Sequence, residues 1–279
     1  MKIHHLNCGS MCPHGRRLLN GEGGWLASAE LCCHCLLIET REGLVLVDTG
    51  LGTQDLDTRN SRLPLSFRLL SRPQMNIRDT ALHQIKERGF SPNDVRHIVL
   101  THLDPDHAGG LSDFPNAQVH VFEDELHAAM NPKTMIEKAR YVPKQWQTSV
   151  DWHIHQTDGE RWNEFDSVRA LSNKETDILL VPTRGHTRGH CAVAVKSGEG
   201  WLLHCGDAYF HQGEMAENPQ CPEGLKLYQK MMAVDNPVRL DNQARLRELA
   251  IQANDVQLIC AHDPAELRRI QSASASRHS

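Results

Sequence analysis

Short apolar runs closed by turn residues alternate along this chain with stretches of helical spacing. Residues 36–39 and 44–48 are apolar runs that predict two strands, joined by a turn at Arg41-Glu42-Gly43. Over 77–88 the apolar positions fall at Ala81, Leu82 and Ile85, the spacing of one helix face, and Gly89 follows as a C-cap. Residues 97–100 and 119–122 predict further strands, and 123–130 a helix. The second half repeats the theme, with strands expected at 178–181, 191–195, 201–204 and 256–260. A helix is expected over 238–253, with Leu240, Ala244, Leu246, Leu249 and Ala250 on its apolar side, and a last one over 264–271. Residues 55–76 and 211–237 are less regular and read as excursions from the core. The Ser/Ala-rich tail 272–279 is expected to fray. No sharp linker interrupts the pattern, so one domain is expected over 1–279, its core about 35–271.

Composition narrows the function classes. Hydrophobic residues make up 39% and charged residues 23%, the balance of an ordinary globular protein. The formal net charge of −5, without clustered Lys and Arg, argues against a nucleic-acid partner and favours neutral small molecules. The first residues lack an apolar signal core, and no apolar run is long enough for a membrane span, so neither export nor a membrane partner is expected. Nine cysteines cannot all pair within one chain, and reduced thiols in the cytoplasm are the expectation. The oligomeric state stays open, a homodimer included. The 18 histidines exceed ordinary usage and turn attention to metal chemistry.

Thr101-His102-Leu103-Asp104-Pro105-Asp106-His107-Ala108-Gly109-Gly110 carries the strongest signal. Four ligand-type side chains fall within six residues just past an apolar strand, and the Pro and Gly pair oppose continuation of that strand. Imidazole and carboxylate together suit Zn, Fe or Mn. Three more ligand-bearing turns follow strands: Thr183-Arg184-Gly185-His186-Thr187-Arg188-Gly189-His190, Cys205-Gly206-Asp207 and Ala261-His262-Asp263. Each alone reads as structural. Together, each at a strand's end, they argue for one metal centre. Cys32-Cys33-His34-Cys35 leads into an apolar strand, so packing thiols are the expectation there. The alternative is a second metal clip joined by Cys8, Cys12 and His14.

These four turns, in this order, resemble the metallo-β-lactamase superfamily, and Val47-Asp48-Thr49-Gly50 matches its early strand and turn. Asp-His-Ala-Gly-Gly and the late Ala-His-Asp are most similar to the N-acyl-homoserine-lactone lactonases. The resemblance implies an α/β fold, an αββα sandwich with a dinuclear site at its rim. One metal would take His102, Asp104 and His186; the other would take Asp106, His107 and His262; Asp207 would bridge them. The cofactors implied are two divalent ions, zinc first, with iron or manganese as alternatives. A hydroxide shared by the two metals would open an ester or lactone, with N-acyl-homoserine lactones the substrate class that the resemblance implies. Asp106 could also shuttle the proton, and Tyr209 could hold the carbonyl. His190 and Asp48 are expected to support ligands rather than to be ligands. One departure stands out: the family's second motif histidine is Asp104 here. The flavodiiron oxygen reductases of the superfamily carry a carboxylate in that slot, so a diiron redox enzyme is one alternative. A non-catalytic sensor on the same scaffold is the other.

Overall fold

The computed structural model describes residues 1–57, 61–74, 76–146, 150–172 and 177–276. Among the described residues, twelve strands form two sheets. The first contains β1 (Lys2–Met11), β2 (Leu31–Thr40), β3 (Gly43–Val47), β4 (Val95–Val99), β5 (Gln118–Phe122) and β6 (Asp151–His155), side by side in that order. The second contains β7 (Glu160–Trp162), β8 (Phe165–Ser172), β9 (Asp177–Pro182), β10 (Cys191–Ser197), β11 (Gly200–His204) and β12 (Val256–Ile259), also in chain order across the sheet. The helices are α1 (Arg16–Leu19), α2 (Leu65–Ser71), α3 (Ala81–Glu87), α4 (Pro105–Ala108), α5 (Glu123–Met130), α6 (Met135–Arg140), α7 (Glu223–Met232), α8 (Asn236–Gln252) and α9 (Pro264–Ser276).

Three apolar layers define the sandwich. Leu36, Ile38, Val45, Val47 and Val99 of the first sheet meet Ile178, Leu180, Val193 and Val195 of the second. The opposite faces of the same strands bury Leu37, Leu46, Ile98 and Val121 against Ile85 of α3 and Ala128 of α5. On the far side, Leu179, Ala194 and Leu203 pack on Leu246 and Leu249 of α8. Strands buried on both faces read as continuous apolar runs, which is why β2, β3, β9 and β10 were visible in the sequence. The expected αββα sandwich is the fold found.

The differences have physical reasons. β1 and β6 were not expected: they are the two edges of the first sheet, and their His, Asn and Asp positions break the apolar run. The excursions at 55–76 and 211–237 hold α2 and α7, and α6 and β8 also went unforeseen. Leu240 and Ala244 are exposed, whereas Arg239, Asn242 and Gln243 are buried with Leu246 and Leu249. The N-terminal half of α8 packs on polar groups of loops instead of apolar strand side chains. Asn242 donates to the Arg184 carbonyl at 2.9 Å, and Gln243 donates to Glu214 at 3.0 Å. The expected frayed tail is helical through Ser276, while 277–279 lie outside the described residues. Cys32, Cys33 and Cys35 lie within β2 and are buried, and burial pushes all three thiols up.

Candidate metal centre

The parallel pairings β3–β4 and β11–β12 bring their C-terminal ends to one rim. Backbone bonds clasp the two sheets there: the Cys191 N–H donates to the Thr101 carbonyl at 3.0 Å, and the His34 N–H to the Ala261 carbonyl at 2.9 Å. The turn after β4 becomes α4, with Pro105 at the first helical position, where its missing N–H costs nothing. Asp104 is the N-cap residue, yet its carboxylate caps nothing and turns into the rim instead. The segment is pinned from below by Glu125, which accepts from the Leu103 N–H at 2.9 Å and the Thr187 hydroxyl at 2.6 Å. Gly189 is required at its position, because a Cβ there would lie 2.0 Å from the Glu125 backbone nitrogen. Gly206 takes φ +51°, and a Cβ would stand 2.7 Å from His190 Nε2. That turn lets the Asp207 N–H donate to His190 Nε2 at 2.9 Å, while His190 Nδ1 donates to the Thr183 carbonyl at 2.9 Å.

The seven residues expected as ligands come together and are all buried. His102, Asp104, His186 and Asp207 form one donor group, and Asp106, His107 and His262 another, the atoms within each lying within 4.8 Å of one another. Asp207 faces both groups. Its Oδ2 is 3.2 Å from His186 Nε2 and 3.8 Å from His102 Nε2; its Oδ1 is 3.0 Å from His262 Nε2 and 3.2 Å from His107 Nε2. Asp104 Oδ2 lies 3.1 Å from His186 Nε2.

The outer partners settle which nitrogen faces inward. His107 Nδ1 donates to Asp48 at 2.8 Å and His262 Nδ1 to the Cys32 carbonyl at 2.7 Å, leaving each Nε2 as the inward atom. Asp48, at φ +55°, also accepts from the Thr101 N–H and hydroxyl, both at 2.8 Å. Burial raises the Asp104 and Asp207 carboxyls, but the Arg140 guanidinium at Asp104, and the imidazoles of His262 and His107 at Asp207, hold both well below the usual range. Burial lowers His107, and the carboxylates of Asp207, Asp48 and Asp106 more than reverse it. Burial, then Arg140, lower His186 to about 4. Inward-facing His102 Nε2, Asp104 Oδ1 and Asp207 Oδ1 make no hydrogen bond despite full burial. Orphaned donor atoms of this kind, in a cluster of ionised carboxylates and imidazole lone pairs, fit divalent cations. Among the described residues, no such group includes a thiol.

Tyr209 is not brought to this cluster. Its hydroxyl donates to Glu266 at 3.3 Å in the core beneath α8, away from the rim. Two residues that sequence reasoning missed stand beside the cluster. Arg140, at the end of α6, places Nη1 3.2 Å from Asp104 Oδ2. Tyr228, on α7, reaches it through Phe210, whose ring lies 4.8 Å from that of His262, and burial, then the carboxylates of Asp106, Asp207 and Asp104, push its hydroxyl up. Its ring lies 6.0 Å from that of Phe210. Both sit on helices that carried no motif and lie far from the ligands in sequence.

Residues 31–242 match the metallo-beta-lactamase superfamily model, and the chain belongs to that superfamily. Among individual relatives, a probable metallo-hydrolase of Mycobacterium tuberculosis is 43% identical over 95% of this chain and 81% of its own length. An N-acyl homoserine lactonase of Bacillus thuringiensis is 33% identical over 58% of each chain. The fold is shared with an N-acyl homoserine lactone hydrolase solved with N-hexanoyl-L-homoserine at its catalytic metal centre, at TM-score 0.70, 21% identity and coverage of 96% and 95%. It is also shared with AidC, a dizinc quorum-quenching lactonase, at TM-score 0.60, 17% identity and coverage of 94% and 87%.

Proposed function

We propose that this metallo-hydrolase opens the ester bond of a lactone or related neutral ester at a dinuclear centre, with N-acyl-homoserine lactones the first substrate class to test. The observation that supports the centre most directly is the two-sided placement of Asp207, one carboxylate oxygen toward each donor group. His102, Asp104 and His186 would hold one ion, Asp106, His107 and His262 the other, and Asp207 both. Two ions held there supply a hydrolytic nucleophile at neutral pH and an electrophile for the carbonyl oxygen. Zinc is the first candidate, with iron or manganese the alternatives.

The chain's own groups do the rest. Asp48, Thr101, Cys32 and His190 orient the ligands through the bonds described above. Asp106 is buried beside His107 and His262, where its carboxylate can receive the proton released during attack and return it to the leaving alkoxide. Tyr228 packs on Phe210, which itself packs on His262, and from there its hydroxyl would donate to the substrate carbonyl as negative charge develops. Purified protein assayed on acyl-homoserine lactones, aryl esters, thioesters and nitrocefin tests the reading. Ring opening of the lactones is expected; efficient nitrocefin turnover without it would overturn the substrate class. A diiron redox enzyme is the second reading, favoured by the carboxylate at Asp104. An iron chromophore with oxygen consumption and no hydrolysis would establish it.

A further inference from the structure

Asp104 brings a third carboxylate into a cluster that Asp106 and Asp207 already make anionic. The residue facing it is Arg140. This side chain is only 1% exposed, and its Nη1 lies 3.2 Å from Asp104 Oδ2. It is the sole Lys or Arg paired with any of the seven cluster residues among the described ion pairs. Nη2 donates to the Met232 carbonyl at the end of α7. Nε and Nη1 have no hydrogen-bond partner. A buried guanidinium with one hydrogen bond and one ion pair is costly unless its charge is needed where it stands.

We propose that Asp104 and Arg140 form a matched unit in which the guanidinium compensates the extra carboxylate and sets how strongly the first donor group binds a divalent ion. The inference rests on the dinuclear reading above. With both ions, three carboxylates and a hydroxide, the formal charges cancel; with a neutral imidazole at 104 they would leave one positive charge. Arg140 restores that charge without occupying a ligand position. It is therefore a positioning residue that acts through Asp104. The same arithmetic carries a penalty: if Asp104 becomes neutral, the guanidinium faces the ion uncompensated and repels it. The two positions should consequently be tolerated only as a pair.

A double-mutant cycle with Asp104→His and Arg140→Met tests this, read as zinc affinity by competition with a chromophoric chelator. Asp104→His alone is expected to weaken zinc binding at one site by about tenfold or more, within the range seen when a metal's outer partners are lost. In the Arg140→Met background the same change should cost less than about threefold, and Arg140→Lys, which keeps the charge, should preserve the wild-type dependence. A purely structural Arg140 would give an additive cycle, with both changes lowering thermal stability independently, and that result overturns the proposal. Should Arg140→Met fail to fold, Asp104→His alone decides: undiminished zinc affinity overturns the unit. A wild type that binds no cation would remove the dinuclear reading and this inference together. Two bound ions with an additive cycle would remove this inference alone.

Discussion

At the residue scale, Asp207 carries the most. It contacts imidazoles of both donor groups, so no other single side chain can replace its position. Asp207→Ala is expected to lower activity by about 100-fold or more and to remove at least one ion per chain by elemental analysis. A Cys32→Ser, Cys33→Ser, Cys35→Ser variant should keep its metal, because those thiols pack inside β2. The reverse pattern would place the site wrongly. The two tyrosines make a paired test. Tyr228→Phe should lower kcat/KM by about 10–100-fold without loss of metal, the worth of one hydrogen bond to a charged group. Tyr209→Phe loses only the contact with buried Glu266 and should show itself in thermal stability rather than in rate. Equal kinetic effects from both changes would refute this division.

At the scale of elements, the strand ends do the positioning, and one row of side chains adds a pH dependence away from the site. His97 on β4, His120 on β5 and His155 on β6 form a chain, with contacts of 3.1 Å and 2.9 Å. Burial, and then the neighbouring imidazoles of His155, His97 and His153, depress His120 to about 3. His120 therefore stays neutral in the fold at pH values where the unfolded chain, near its ordinary 6.5, takes up a proton. The sign follows from that difference: its contribution is complete above pH 6.5 and is lost as pH falls toward 3. Urea unfolding of chelator-treated protein at pH 7, 6 and 5 should show stability dropping with acid. A His120→Gln variant should show a shallower drop, by about one proton. Identical slopes for the two proteins would rule out the role given to His120.

At the scale of the whole molecule, function depends on two sheets meeting at one rim, because each sheet supplies only part of each donor group. The first sheet delivers His102, Asp104, Asp106 and His107; the second delivers His186, Asp207 and His262. About two ions per chain are expected in protein purified without chelator, and a fully loaded stoichiometry of one or none would sink the dinuclear centre. Since the ions bind the folded state, they should also raise the melting temperature, and chelator should lower it. No described helix is long and apolar enough to cross a membrane.

What the sequence determined by itself was local and dense: the apolar runs of doubly buried strands, and the four turns that close them. The seven clustered residues were legible because each lies within a few positions of such a run. The edges β1 and β6 were not legible, because edge strands are half polar and lose the apolar signature. Nor were the contributions of α6, α7 and the polar face of α8. Only the tertiary structure decided these, since a buried Arg, Tyr or Asn looks like a surface residue until its partner's position is known. Arg140 lies 3.2 Å from an oxygen of Asp104 across a gap of many residues, and Tyr209 bonds Glu266 in the core while Tyr228 packs on Phe210, whose ring lies 4.8 Å from that of His262. Periodicity reports which face of an element is apolar; it carries no information about which charged group waits on the opposite side of a loop.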